Sequence, residues 1–301
     1  GASRLAALEN GEVDYLFDVP GPELERLSGD PDYDTQSTLI NPGGSNCIMT
    51  VSFNLDRPMF ADQEVRQAIA HALDRDQFLE RVLFGSGLVA ESHISSGIAF
   101  AHAAADLPAH DVDAAEAMLE AAGWIREGGG TRTAAGVEGV EDGTELAFDF
   151  THFPTFSAYA ELLRAQLAEV GIEVTLQPLE PPVFVETVFT DRAFDTNIIS
   201  YCNGPDPEIG VRRMFDSSRI GPVPFSNAAG YTNPEVDALF AEAATTVDTD
   251  ARGDLYRQIQ ELTAADLPYI PIVETESTRV FTSTCRDFLP AGHFAETASC
   301  G

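Results

Sequence analysis

Tyr201, Cys202 and Asn203, followed at short distance by Asp206, form the group of side chains in this chain best suited to holding a small molecule. An aromatic ring can stack, an amide both donates and accepts hydrogen bonds, and a carboxylate holds a cationic group. The four follow the apolar run 196–201, which reads as a strand, and in open α/β sheets ligands sit beyond the carboxyl ends of strands. Asn54, ending a second apolar run at 48–53, is a further candidate contact. The competing reading of Tyr201 is a ring that closes its strand against the core.

Catalysis has less support. No GxSxG, HExxH or GxxxxGKS/T spacing occurs, and the 17 basic residues are all arginine, so neither a lysine Schiff base nor a Walker-type phosphate clamp can form. His71, His93, His102, His110, His152 and His293 make no tight cluster; His93, His102 and His110 share a loop-rich stretch, where solvated side chains are expected in preference to a nickel site. The expectation is a binding protein without cofactor or resident metal. A hydrolase using paired carboxylates or a histidine-bound metal is the remote alternative, and a solute receptor for signalling is the nearer one.

Composition narrows the partners. The formal charge is -32, from 49 acidic and 17 basic residues spread through the chain. Such a coat of carboxylates suits very salty surroundings, where screening shortens to about 3 Å at 1 M salt. Disorder fits poorly, because 44% of residues are hydrophobic and they fall in periodic runs. A nucleic-acid partner is disfavoured for want of a basic face. No stretch of 18 apolar residues is present to span a bilayer. The first residues lack the apolar core of a signal peptide, so any export signal or membrane anchor is expected outside this chain. Cys47, Cys202, Cys285 and Cys300 are an even set without CxxC spacing, which favours disulfides or inert thiols over zinc.

The elements that must position these residues alternate. Short helices are expected at 4–8 and 22–27, and a buried strand at 48–53. One long amphipathic helix should follow, capped by Asp62, carrying Val65, Ile69, Leu73 and Val82 on one face and stopped by Gly85 and Gly87. Asp111 caps another helix, and the Gly-rich run 127–143 reads as a surface hairpin or loop. Strands at 146–150, 172–177 and 196–201 then alternate with helices at 159–169 and 182–189, which is α/β order. Helices at 234–244 and 249–265 precede strands at 270–273 and 278–281. Arg66, on the long helix, is expected to pair with a carboxylate beneath it.

Phe53-Asn54-Leu55, Pro58, Phe60, Val65-Arg66-Gln67-Ala68-Ile69-Ala70 and Ala72-Leu73-Asp74-Arg75 together resemble the family of extracytoplasmic solute-binding proteins, family 5, that feed peptide and nickel ABC importers. The resemblance continues through Gly11-Glu12-Val13-Asp14, the helix from Asp113 that ends in Ala122-Gly123-Trp124, Gly171-Ile172-Glu173-Val174, Phe194-Asp195, Asp206-Pro207, Gly230-Tyr231-Thr232-Asn233-Pro234 and Pro268-Tyr269-Ile270-Pro271. It implies an α/β, periplasmic binding protein type II-like fold: one near-complete lobe with flanking pieces of the other. Residues 1–45 would belong to the larger lobe and lead to the hinge, 46–265 would form the ligand-binding lobe, and 266–301 would return to the larger lobe, whose first part is missing from this chain.

The resemblance further implies capture of a small solute, peptide-like above all, between two lobes, with ABC permease subunits as partners and an extracellular, cell-surface location. It pairs Cys47 with Cys202, while Cys285 and Cys300 can close a second interval of 15 residues; free buried thiols are the alternative. Two departures stand out. Where peptide-binding relatives tend to carry an acid after the cleft cysteine and a base earlier in the strand, this chain has Gly204 and Ile198. Asp206, Arg192 or the missing lobe would then have to hold a peptide's charged ends.

Overall fold

The three central strands of the large sheet are buried on both faces, so their side chains run almost without exposed interruption, as expected where helices cover both sides of a sheet. A computed structural model of the chain describes residues 2–39, 45–285 and 300. Its six-stranded sheet has the order β4-β10-β3-β9-β7-β8. These strands are β3 (Asn46–Phe53), β4 (Gly87–Val89), β7 (Ala147–His152), β8 (Glu173–Pro178), β9 (Thr196–Asn203) and β10 (Tyr269–Thr275). β7 runs parallel to β8 and β9, whereas β3 is antiparallel to β9 and β10. A small sheet of β1 (Tyr15–Phe17), β11 (Ser277–Thr282) and β2 (Tyr33–Thr38) lies beyond, joined to α1 (Ala2–Glu9) and α2 (Gly21–Ser28) around Leu8, Leu16, Val19, Leu27 and Val280.

Period-two alternation divides the large sheet between two cores. Met49, Val51 and Phe53 of β3 and Ile198 of β9 face α4 (Gln63–Ala72), α5 (Arg75–Arg81), α6 (Val112–Ala121) and α7 (Ser157–Glu169). Ile199 and Tyr201 of β9 face the other way, toward α8 (Pro181–Val185), α9 (Arg212–Phe215), α10 (Pro234–Ala243) and α11 (Thr249–Asp266). The remaining short elements are α3 (Pro58–Ala61) and the hairpin β5 (Trp124–Ile125) and β6 (Thr133–Ala134), which opens the Gly-rich run.

Two expectations need correction. The long helix after Asp62 is two helices: Leu73 turns extended (φ -94°, ψ 114°), and Asp74 begins again as an N-cap accepting from the Gln77 N–H. An N-cap side chain inside an apolar period is a competing start signal, and it wins here. Among the described residues Arg66 pairs with no carboxylate; it is buried and donates to the backbone carbonyls of Phe60, Ala61, Asp266 and Leu267. β10 is an inner strand of the large sheet, and the chain leaves that sheet after Thr275. On the entering side the passage precedes β3.

Candidate functional site

β7, β8, β9 and β10 all end, and β3 and β4 begin, on one side of the large sheet, the side from which the chain passes to the small sheet. This hinge end is where solute contacts are expected in an open α/β sheet. Two disulfides are formed, Cys47 with Cys202 and Cys285 with Cys300. The first joins directly opposed residues of β3 and β9, one row from the hinge end. Asn46 and Asn203 face each other in the terminal row, on the opposite face from the disulfide.

The terminal row is polar and tightly roofed. Asn203 donates through Nδ2 to the carbonyl of His93 at 3.0 Å, while the Oδ1 atoms of Asn46 and Asn203 are buried without a hydrogen-bond partner among the described residues. Gly97 and Gly210 cover them: an added Cβ would lie 2.6 Å from Asn46 Oδ1 and 2.8 Å from Asn203 Oδ1. Nearby Glu274, only 2% exposed, accepts from the hydroxyls of Ser95 and Ser96 and from the Ser96 N–H at 2.8, 2.9 and 3.0 Å. The terminal row thus offers two carboxamide oxygens, and two residues further in, opposite Ile48, lies a carboxyl group held by serines. Such a set suits N–H donors.

The residues expected to bind solute are placed unequally. Asn203 and Cys202 are at the hinge end, the latter inside the disulfide. Asp206 is also there, but its carboxylate is taken by Arg252, whose Nη2 donates to it at 2.7 Å. That ion pair holds the Arg252 guanidinium above its ordinary pKa, and the guanidinium also lies over the rings of Phe100 and Tyr256. Asp206 therefore braces the loop after β9.

Tyr201 takes the competing role of a core residue. It is 1% exposed and packs edge-on against Tyr269 with ring centroids 5.9 Å apart. Burial pushes its phenol pKa up. Asn54 lies at the other end of β3, about 26 Å from the Asn46–Asn203 row at ~3.3 Å per residue, where Nδ2 donates to the carbonyls of Arg192 and Phe194. It pins that loop and cannot meet a ligand beside Asn203. Ile198 faces the first core, and Gly204 lies against Ile209, with no room for a Cβ.

Of the loop histidines, His110 is exposed as expected, whereas His93 departs from expectation. His93 is buried, its ring edge-on to Phe215 and Tyr269, and desolvation pushes its pKa down to about 3. His102 contacts the Ile94 carbonyl and Glu91, and His110 faces Asp74. His293 lies outside the described residues. Among the described residues, no group of three side chains is arranged to hold a metal, and no helix is long and apolar enough to cross a membrane. Asn46, Glu274, Ser95 and Ser96 escaped the sequence reading; the one signal was an acid and an amide at the ends of apolar runs.

Comparison with known proteins agrees with this architecture. A putative ABC transporter peptide-binding protein of Brucella ovis is 24% identical over 299 residues, covering 97% of this chain and 53% of the relative. The oligopeptide-binding protein AppA from Bacillus subtilis, solved in complex with a nonapeptide, superposes with a TM-score of 0.82 at 23% identity, over 97% of this chain and 56% of that one. NikA from Brucella suis, solved with Fe(III)-EDTA, gives 0.80 at 24% identity, over 100% and 60%. The fold is that of type II periplasmic binding proteins, and the chain spans about half the length of the curated relatives it matches. The profile of the bacterial extracellular solute-binding proteins, family 5 Middle, matches residues 1–222, and the chain belongs to that family.

Proposed function

We propose that this chain supplies a ligand-binding lobe to the substrate-binding component of an ABC importer, which captures a small solute outside the cytoplasm and performs no chemistry on it. One observation carries the reading: strand ends converge on a hinge end whose two amide oxygens are buried and unpartnered. Solute N–H groups would satisfy both once the backbone at Gly97 and Gly210, which covers them, moves aside, and closure would draw its energy from contacts made on both sides of the hinge. The names of the relatives support peptides as the solute class. Without charge at positions 198 and 204, a peptide's termini would be held elsewhere, so neutral backbone contacts would dominate. Permease subunits are the implied partners, and a lipid anchor outside this chain would keep the protein at the cell surface. Residues 1–45 and the stretch after Thr275 are proposed to belong to the second lobe.

Calorimetric titration of the protein with dipeptides, oligopeptides and nickel chelates tests the reading. Binding of one class, weakened in Asn203→Leu, is expected; no heat from any of them would reject it. A receptor for signalling would bind as well but would not stimulate a permease-ATPase complex in proteoliposomes.

A further inference from the structure

The sheet face that carries Tyr201 holds polar side chains where a two-sided sheet calls for apolar ones. Ser52 of β3 is directly opposite both Asn197 of β9 and Tyr269 of β10, and all three are buried. Tyr201 lies in the same layer, its ring against that of Tyr269. Among the described residues, Ser52 Oγ, both polar atoms of the Asn197 amide and the Tyr201 hydroxyl meet no hydrogen-bond partner at proper geometry, and neither does Arg213 Nε on α9. Ser52 and Tyr269 are nevertheless near enough to act on the Tyr201 hydroxyl, as is the charge of Arg213. Each buried polar atom left unpaired costs about 1–3 kcal/mol. Five in one cluster mark a place that something else occupies.

The sign of the charge says what kind of occupant fits. Arg212 takes Glu208 and Asp216 as ion-pair partners. Arg213 has no carboxylate partner among the described residues, in a chain with 49 acids, and its guanidinium instead lies 5.7 Å from the ring centroid of Phe225. Burial lowers its pKa, opposed only by the Tyr201 oxygen. The charges that reach the Tyr201 and Tyr269 hydroxyls are those of Arg213 and Arg192. Water would bond the hydroxyls but leave a partly desolvated cation without a counter-charge.

We propose that this cluster binds a small monovalent anion of the chloride class, held by Arg213 Nε–H, the Ser52 and Tyr201 hydroxyls and the Asn197 amide N–H. Arg213 and Phe225 are both partly exposed, so the anion would reach the cluster from their side. The anion ties α9 to β3 and β9, so it stabilises the second core. The site is separate from the acceptor-rich row of Asn46 and Asn203, and its test is independent of any solute.

The experiment holds ionic strength constant with potassium glutamate and titrates chloride, reading the excess ³⁵Cl line width and the melting temperature. Wild type should show saturable broadening, displaced by bromide, together with a saturable rise in Tm. Arg213→Met should raise the half-saturating chloride about tenfold or more, as loss of a charge-assisted hydrogen bond implies. Tyr201→Phe, which keeps the ring and removes one donor, should raise it less. Equal broadening in wild type and Arg213→Met, or a Tm response that never saturates and is the same in all three proteins, would overturn the proposal in favour of water.

Discussion

Arg66→Met should destabilise the protein by about 3 kcal/mol, because one guanidinium joins two parts of the chain about two hundred residues apart. Its Nη1 donates to the carbonyls of Phe60 and Ala61 at 2.7 and 3.0 Å, and its Nε and Nη2 donate to those of Asp266 and Leu267. Phe60 and Leu267 are fully buried, so water cannot replace the lost donors there. Two stranded carbonyls cost about 2–6 kcal/mol together, and the recovered desolvation of the guanidinium offsets part of that. Urea unfolding in molar KCl measures the difference. Native-state hydrogen exchange should localise it: the Leu267 N–H, bonded to the Thr263 carbonyl at the left-handed end of α11, should exchange faster than amides of β8. Arg66→Lys keeps the charge but offers three donors from one nitrogen, so it should recover less than half of the loss. A change under about 1 kcal/mol, or full recovery by lysine, would refute the geometric account.

Replacing Cys47 and Cys202 together by serine opens a loop with a sequence separation of 155 and should cost about 3–5 kcal/mol, read from the urea midpoint; a loss under about 1 kcal/mol would show that strand pairing alone holds β3 to β9. His93, with a folded pKa pushed down to about 3 from 6.5, stays neutral where the unfolded chain takes a proton. Its stability contribution is therefore intact above pH 6.5 and falls as pH drops toward 3, by about 2 kcal/mol at pH 5. The wild-type minus His93→Gln difference in unfolding free energy, measured from pH 7 to 4.5, should show this slope, and parallel curves would contradict it. The melting temperature should fall steadily between about 3 M and about 0.1 M KCl as self-repulsion is unscreened; a flat response would separate the acidic composition from any need for salt.

The alternation of strands and helices from 146 onward and the helix caps at Asp62 and Asp111 were legible because each rests on local chemistry: a side-chain acceptor before an apolar period, or a run of branched residues closed by Gly or Pro. Asp74 was hidden by the same rule, since a cap inside a continuing apolar period can be read as a helix interior. The roles of Arg66, Asp206 and Asn54 were less accessible, because their partners are distant carbonyls or an arginine that no spacing predicts. Arg66 and Asp266 are brought together only by the tertiary fold.

Tyr201 shows why the candidate site was harder still. In a strand with one wet face, parity tells which residues point inward. β9 is covered on both faces, so Ile198 and Ile199 are both buried although they point in opposite directions, and hydropathy cannot separate a ring in the core from a ring in a cleft. The usable signal was the polar residues of the two central strands. Asn197, Tyr201 and Asn203 share one parity, and Ser52 and Asn46 lie opposite Asn197 and Asn203 on β3. Polar side chains repeated on one face of a fully buried sheet need partners that the sheet itself does not supply. At the terminal row those partners are proposed to come from a solute; deeper in, around Ser52 and Arg213, the excess of donors and the unpaired cation call for an anion instead.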